Sequence, residues 1–205
     1  MIYNTLASEE VVTKIVPALA ERGVTAEIFE DGAAVLTRIK ELIPSGVSVM
    51  NGASVTLEQI GYIDYLKSDA HSWVNPKVAI LKEKDPDKQT GLRKQSVISD
   101  WYVGSVHALA ETGEFIIASN TASQLPHVAF TSSHIIFVVS TKKIVPTLTD
   151  AFKRLEEHVV PLEDKHMMDL YKIHTKLSKI LIWKNEAAMN KRTVRMFLVK
   201  EDLGF

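Results

Sequence analysis

The chain contains no cysteine. Disulfides, thiolate nucleophiles, zinc-thiolate sites and self-ligated iron-sulfur clusters are therefore excluded. It also lacks a charge of one sign, with 24 Lys and Arg against 25 Asp and Glu and a pI of about 6.7. No long-range field then draws it to a nucleic-acid backbone or an anionic membrane, so neither partner is expected. No run approaches the roughly eighteen apolar residues of a membrane span, and the start has neither the basic residues nor the apolar core of a signal peptide. A cytoplasmic address is the default expectation. Trp73, Trp101 and Trp183 are scattered without the basic interleaving of a base-stacking surface, and read as core or interface residues. Glycine and proline form no linker, and neither repeats nor low-complexity tracts occur. What is present is 46% apolar over 205 residues. Such a chain can bury a full core unaided, and residues 1–205 are expected to form one domain.

Hydrophobic periodicity outlines its elements. Ser8 precedes two glutamates and apolar residues at Val11, Val12, Ile15, Val16 and Leu19, the pattern of a capped amphipathic helix. Val24, Ala26 and Ile28 alternate as a strand. Asp31 opens a second helix, with Val35, Leu36, Ile39, Leu42 and Ile43, that Pro44 closes, so residues 1–46 read as a helix-strand-helix part of the same unit. A strand at Val47–Met50 gives way to a helix carrying Leu57, Ile60, Ile63 and Leu66. Charges, Pro76, Pro86 and Gly91 interrupt residues 67–100, which read as loops with one short helix. Val106, Ala108 and Ala110 then alternate into Glu111-Thr112-Gly113, and Glu114–Ala118 runs back as a hairpin. His134–Val139 is the most apolar strand and a central one. A helix follows Pro146, helical spacing continues from Met167 through Leu181, and Val194–Val199 closes as a strand. Alternating strands and helices argue for an α/β sandwich with a largely parallel sheet. Residues 1–141 carry 11 basic and 16 acidic side chains, while 142–205 carry 13 and 9. That basic second part reads mainly as solvated helix faces.

Three polar loops are candidate sites. In Asn51-Gly52-Ala53-Ser54-Val55-Thr56 a strand opens onto a helix start, where Gly52 permits close backbone approach and the Ser54 and Thr56 hydroxyls add donors for a small anion. Ser54 is equally suited to be a plain N-cap. Glu111, beside Thr112 and Gly113 at the hairpin turn, has the chemistry of a nucleophile or general base, although polar turn residues are usually turn formers. Ser119-Asn120-Thr121-Ala122-Ser123 follows the strand leading away from Glu111, so the two loops are expected to reach one cleft. The seven histidines show no metal-binding spacing, and no nucleophile elbow places a triad.

Taken together, Ser99–Phe115 (SDWYVGSVHALAETGEF), Gly52–Gly61 (GASVTLEQIG), Lys143-Ile144-Val145-Pro146 and the closing Ser178–Ile182 and Leu203-Gly204-Phe205 resemble the LUD-domain family of lactate-utilisation proteins of the type called LutC. The resemblance implies a three-layer α/β/α sandwich with a mainly parallel sheet, the NagB/RpiA/CoA-transferase-like fold. The polar loops, with Lys179, would then line one cleft at the sheet's carboxyl edge. It raises Glu111, because some coenzyme A transferases carry a nucleophilic glutamate in a comparable Glu-x-Gly context. Some relatives bear a cysteine motif absent here, and Asn120–Ser123 replaces a loop often rich in glycine. Two functions follow from the resemblance. One is a cluster-free component of L-lactate or other 2-hydroxy-acid utilisation, working beside flavin or iron-sulfur redox subunits. The other is a stand-alone enzyme on a phosphorylated or coenzyme-A-linked small molecule, with Glu111 as nucleophile or base. An enzyme cleft is expected to unite Glu111, Asn51, Ser54, Asn120 and Lys179 around one void, and a partner-binding subunit to expose an apolar patch. No cofactor is specified by the residues, and the unassigned aromatics leave room for a homodimer.

Overall fold

The structure is a computed structural model that describes residues 3–205. The Ser8 hydroxyl accepts a hydrogen bond from the Val11 amide and opens α1 (Glu9–Ala20), which buries Val12, Ile15 and Leu19 along one face. After β1 (Val24–Phe29), Asp31 accepts from the Ala34 amide at 2.8 Å and opens α2 (Gly32–Leu42). The chain then forms β2 (Val49–Asn51). The single helix expected next is broken at Gly61, whose φ of 76° ends α3 (Val55–Gln59) and starts α4 (Tyr62–Lys67).

Two helices, α5 (Pro76–Lys82) and α6 (Pro86–Gln95), occupy the stretch expected to be mostly loop. The prolines that interrupt its pattern stand in the first turns of these helices, behind the caps Asn75 and Asp85, where a missing N–H costs nothing. α6 buries no residue, so it leaves no hydrophobic period to read.

The remaining strands are β3 (Trp101–Gly104), β4 (Ala108–Ala110), β5 (Phe115–Ser119), β6 (His134–Ser140), β7 (Ile144–Val145), β8 (Lys179–Trp183) and β9 (Thr193–Val199). Between β7 and β8 lie α7 (Leu148–Arg154), a π-helical turn at Leu155–Val159 and α8 (Val160–Tyr171). The helical spacing expected through Leu181 therefore stops early. Lys172 turns left-handed (φ 57°) and ends α8, and β8 instead pairs antiparallel with β5.

Five strands form a wholly parallel sheet in the order β1-β9-β6-β3-β2. β6 is central and buried on both faces, with Ile135, Phe137 and Val139 packed toward one core and Ile136 and Val138 toward the other. Alternation of direction along a strand with helices on both sides produces this division. Helices α2, α3 and α4 cover one face through Val35, Ile39, Leu57 and Tyr62. α1 covers the other, together with a second sheet ordered β7-β4-β5-β8. That sheet is packed on its far side by Ala151 of α7 and by Leu155 and Val159. The architecture is the three-layer α/β/α sandwich with a mainly parallel sheet. Among the described residues no helix is long and apolar enough to cross a membrane.

Because the five strands run the same way, β2, β3, β6 and β9 all deliver the chain to one edge of the sheet. In such sheets the carboxyl edge is where strand ends diverge and leave a crevice.

Candidate active site

A cleft of about 360 Å³ lies at that edge. Its base is formed by residues following β2, β3 and β6, and one wall by the end of β5. α8 and the Gly204-Phe205 tail close the remaining sides.

Lys143 stands at the base. It follows β6 in a short 3-10 turn and is only 4% exposed. Its Nζ donates to the Thr56 and Ser105 hydroxyls at 3.0 and 3.1 Å and to the Val106 carbonyl at 3.3 Å. Among the described residues no carboxylate lies within ion-pair reach of it. Burial, then the nearby Arg154 and Lys142 cations, hold its amine well below the ordinary lysine value. A buried ammonium without a counter-charge is costly, which is why such lysines are rare outside functional sites. Lys142, beside it, pairs with Asp202 and donates to the Gly204 carbonyl, fastening the tail against the cleft. Gly204 itself has φ 69°, and a Cβ there would strike the Thr56 hydroxyl and crowd Lys143 Nζ at 2.9 Å.

His107, between β3 and β4, is the second polar group of the base. Its Nδ1 accepts from the Ala118 amide at 3.1 Å, so the ring's proton resides on Nε2. Desolvation, reinforced by Lys143 and Arg154, lowers its pKa to about 3. His107 is thus a neutral imidazole at physiological pH, a fixed N–H donor lining the cleft. Behind it the fully buried Arg154 donates from Nη1 to the His107 carbonyl, while its Nε and Nη2 have no partner among the described residues. Desolvation lowers its guanidinium to about 10.

Tyr102, on β3, donates from its hydroxyl to Gln124 Oε1 at 3.2 Å and stacks on His127. Burial raises its phenol above the ordinary range, so it stays protonated. Gly52 is necessary to this arrangement, since a Cβ would collide with Gln124 Oε1 and lie 2.9 Å from the Tyr102 hydroxyl. On the opposite wall α8 contributes Glu163, whose carboxyl is raised by burial, and His166 one turn on.

The structure divides the residues singled out from sequence. Gly52, Ser54, Thr56, Ser119, Asn120 and Thr121 line the cleft. The Ser54 hydroxyl is used as the N-cap of α3, accepting from the Leu57 amide at 3.3 Å, and α3 has only five residues. The capped-helix reading of Ser54 therefore describes it better than a phosphate loop. Asn51 is buried behind the cleft wall, donating from Nδ2 to the Gly52 carbonyl at 2.8 Å. Lys179 lies outside the lining, opposite Ser119 in the β5-β8 ladder, and donates to the Asn120 carbonyl at 3.2 Å.

Glu111, Thr112 and Gly113 do not converge with these loops. The β4-β5 hairpin presents its open end, His107 and Ser119, to the cleft, so its turn lies at the opposite end of the ladder. There the turn packs on α1. Arg22 Nε donates to the Thr112 carbonyl at 2.8 Å and ion-pairs with Glu114 at 2.9 Å, and Glu111 faces the exposed Lys14 at 3.7 Å. Gly113 (φ 87°) lies so close to α1 that a Cβ would fall 2.7 Å from the Ala18 carbonyl oxygen. The expectation that Glu111 reaches the cleft is corrected: two short antiparallel strands carry it away.

Sequence reasoning left Lys143 and His107 out of the site. The signal for Lys143 was its position, directly after the most apolar strand and hence at the carboxyl edge of a central parallel strand. His107 follows a Gly-Ser-Val segment at a strand end but carries no local mark of burial.

Fold and cleft together define an α/β/α protein with a small-molecule site at the carboxyl edge of its parallel sheet. A profile of the LUD domain matches residues 12–180, and the chain belongs to the LUD domain family. A solved structure, the 1.70 Å crystal structure of a DUF162 family protein from Deinococcus radiodurans, is similar with a TM-score of 0.57 and 9% identity, over 95% of this chain and 98% of that one. At that identity the likeness shows the fold. No curated protein matches the sequence.

Proposed function

We propose that this protein serves the utilisation of L-lactate or a related 2-hydroxy acid by holding a small carboxylate in the cleft, while flavin or iron-sulfur partner subunits carry the electrons. One observation carries this reading. Arg154 places positive charge behind the cleft base and the Lys143 amine stands at it as a donor, neither has a carboxylate partner among the described residues, and His107 adds a fixed N–H donor. A carboxylate ligand supplies the missing counter-charge in a region of low dielectric, where such pairing is strong. The LUD family membership points the ligand toward 2-hydroxy acids, and a chain without cysteine leaves any thiolate-ligated cluster to a partner. The competing reading, a stand-alone enzyme on a phosphorylated or coenzyme-A-linked molecule with Glu111 as nucleophile, has no support from the position of Glu111.

Thermal-shift measurements test the proposal against L-lactate, other 2-hydroxy acids, 2-oxo acids, sugar phosphates and acyl-coenzyme A compounds. Ligand at a hundred times its Kd adds about 2.7 kcal/mol of stability. The proposal expects shifts with the small hydroxy or oxo acids that are lost in Lys143→Met, and slowed growth on L-lactate when the gene is deleted. Shifts confined to sugar phosphates or acyl-coenzyme A compounds, with unchanged growth, would overturn it.

A further inference from the structure

We infer that Lys143 is a covalent capture site, its side-chain amine forming a reversible imine with the carbonyl carbon of a 2-oxo acid bound in the cleft. The inference rests on the carboxylate-binding reading above and adds to it a reacting atom and a substrate class.

Geometry carries the argument. A lysine kept for charge alone is ordinarily exposed or paired with an acid, whereas Lys143 Nζ is buried among two hydroxyls and one carbonyl. Every charged side chain that depresses it is a cation: Arg154 from α7 and Lys142 from its own turn. Desolvation beside another cation is the arrangement that frees a lysine lone pair for attack on a carbonyl. Both hydroxyls bonded to Nζ, Thr56 and Ser105, also line the cleft, so the amine meets the ligand space through groups able to relay a proton. His107 Nε2–H stands on the same base as a neutral donor for the developing oxyanion.

The step balances within these groups. The neutral amine keeps two protons, for the Val106 carbonyl and one hydroxyl, and its lone pair, released from the other hydroxyl, forms a bond to C2 as the C=O π pair moves to oxygen, which takes a proton passed from the nitrogen through a hydroxyl. The carbinolamine nitrogen then passes its remaining proton by the same hydroxyl to this oxygen, which leaves as water as the nitrogen lone pair closes C=N to Lys143. Amine and carbonyl give imine and water, with no oxidant or reductant, and hydrolysis reverses the capture. A 2-hydroxy acid has no electrophilic carbon at C2, so it binds without reacting. The site thereby distinguishes the oxidised from the reduced acid.

The experiment is borohydride trapping of the full chain at neutral pH with pyruvate as probe, read by intact mass and peptide mapping. Ordinary lysines are ammonium at that pH and react poorly. The expected result is one reduced adduct on the peptide carrying Lys143, absent without pyruvate, absent in Lys143→Arg, and suppressed by excess L-lactate. The mapping of the unaltered protein remains decisive should the variant fail to fold. A pyruvate-dependent thermal shift without an adduct, or an adduct on other lysines alone, would overturn the imine and leave the carboxylate site standing. Absence of both binding and adduct would overturn both.

Discussion

Exchanging His107 for asparagine tests the chemistry of the cleft base through stability, without a ligand. In the native protein His107 accepts from the Ala118 amide and its pKa falls to about 3, against 6.5 for the free side chain. Unfolding returns the ring to water, where it takes a proton near its ordinary value. The unfolded state therefore binds more protons than the native state between these limits, and stability falls as pH falls. The contribution is complete above 6.5 and is lost progressively from 6.5 toward 3. Each pKa unit is about 1.4 kcal/mol, so between pH ~7 and ~4.5 His107 alone removes about 2.5 kcal/mol. Asparagine keeps a side-chain acceptor for the Ala118 amide but does not titrate. His127, lowered by burial to about 4, titrates in both proteins and cancels from the comparison. Urea unfolding of wild type and His107→Asn at the two pH values gives the difference of differences. Wild type should lose about 2.5 kcal/mol more than the variant on acidification. Equal losses would mean that His107 titrates as a solvated imidazole, and would refute the fixed neutral donor.

The other predictions separate the site from its scaffold. Glu111→Gln should leave binding of the acid that shifts the wild type within about twofold, because its carboxylate lies outside the cleft, paired with the exposed Lys14, and such pairs contribute little; a large loss of affinity in calorimetry would return Glu111 to the site. Gly113→Ala should lower stability by about 1–3 kcal/mol in urea unfolding, since the backbone of Ala18 blocks the new Cβ and φ is positive. Ala122→Gly should be neutral or stabilising by up to about 1 kcal/mol, because Ala122 already occupies a left-handed conformation at φ 64°; a clear loss of Tm would contradict that account of the loop.

The parts of the fold that were legible are those with one buried face and a cap. α1 and α2 announce themselves by Ser8 and Asp31 and by apolar residues three and four apart, and β6 by an unbroken apolar run. β3 was concealed because Trp101–Gly104 is short and opens directly into the polar turn at Ser105, with its parallel partners far away in sequence. β8 was concealed because Leu177 and Leu181 continue a four-residue spacing, and only pairing with β5 decides for strand. Two of the three polar loops were recognisable as cleft residues from their place after strands. The third, at Glu111, was misplaced because local sequence marks a hairpin turn without saying which way the hairpin points. Lys143 was hidden for a related reason: next to Lys142 it looks like a solvated pair, and its burial arises from Thr56, Val106 and the tail, 87, 37 and about 60 residues distant.

The most direct test of the central claim is a crystal structure of the protein soaked with pyruvate. The account predicts the carboxylate and carbonyl within hydrogen-bonding or bonding distance of Lys143 Nζ and His107 Nε2, inside the cleft at the carboxyl edge. Ligand density at the Glu111 turn, or an empty cleft at a pyruvate concentration that saturates binding in solution, would contradict it.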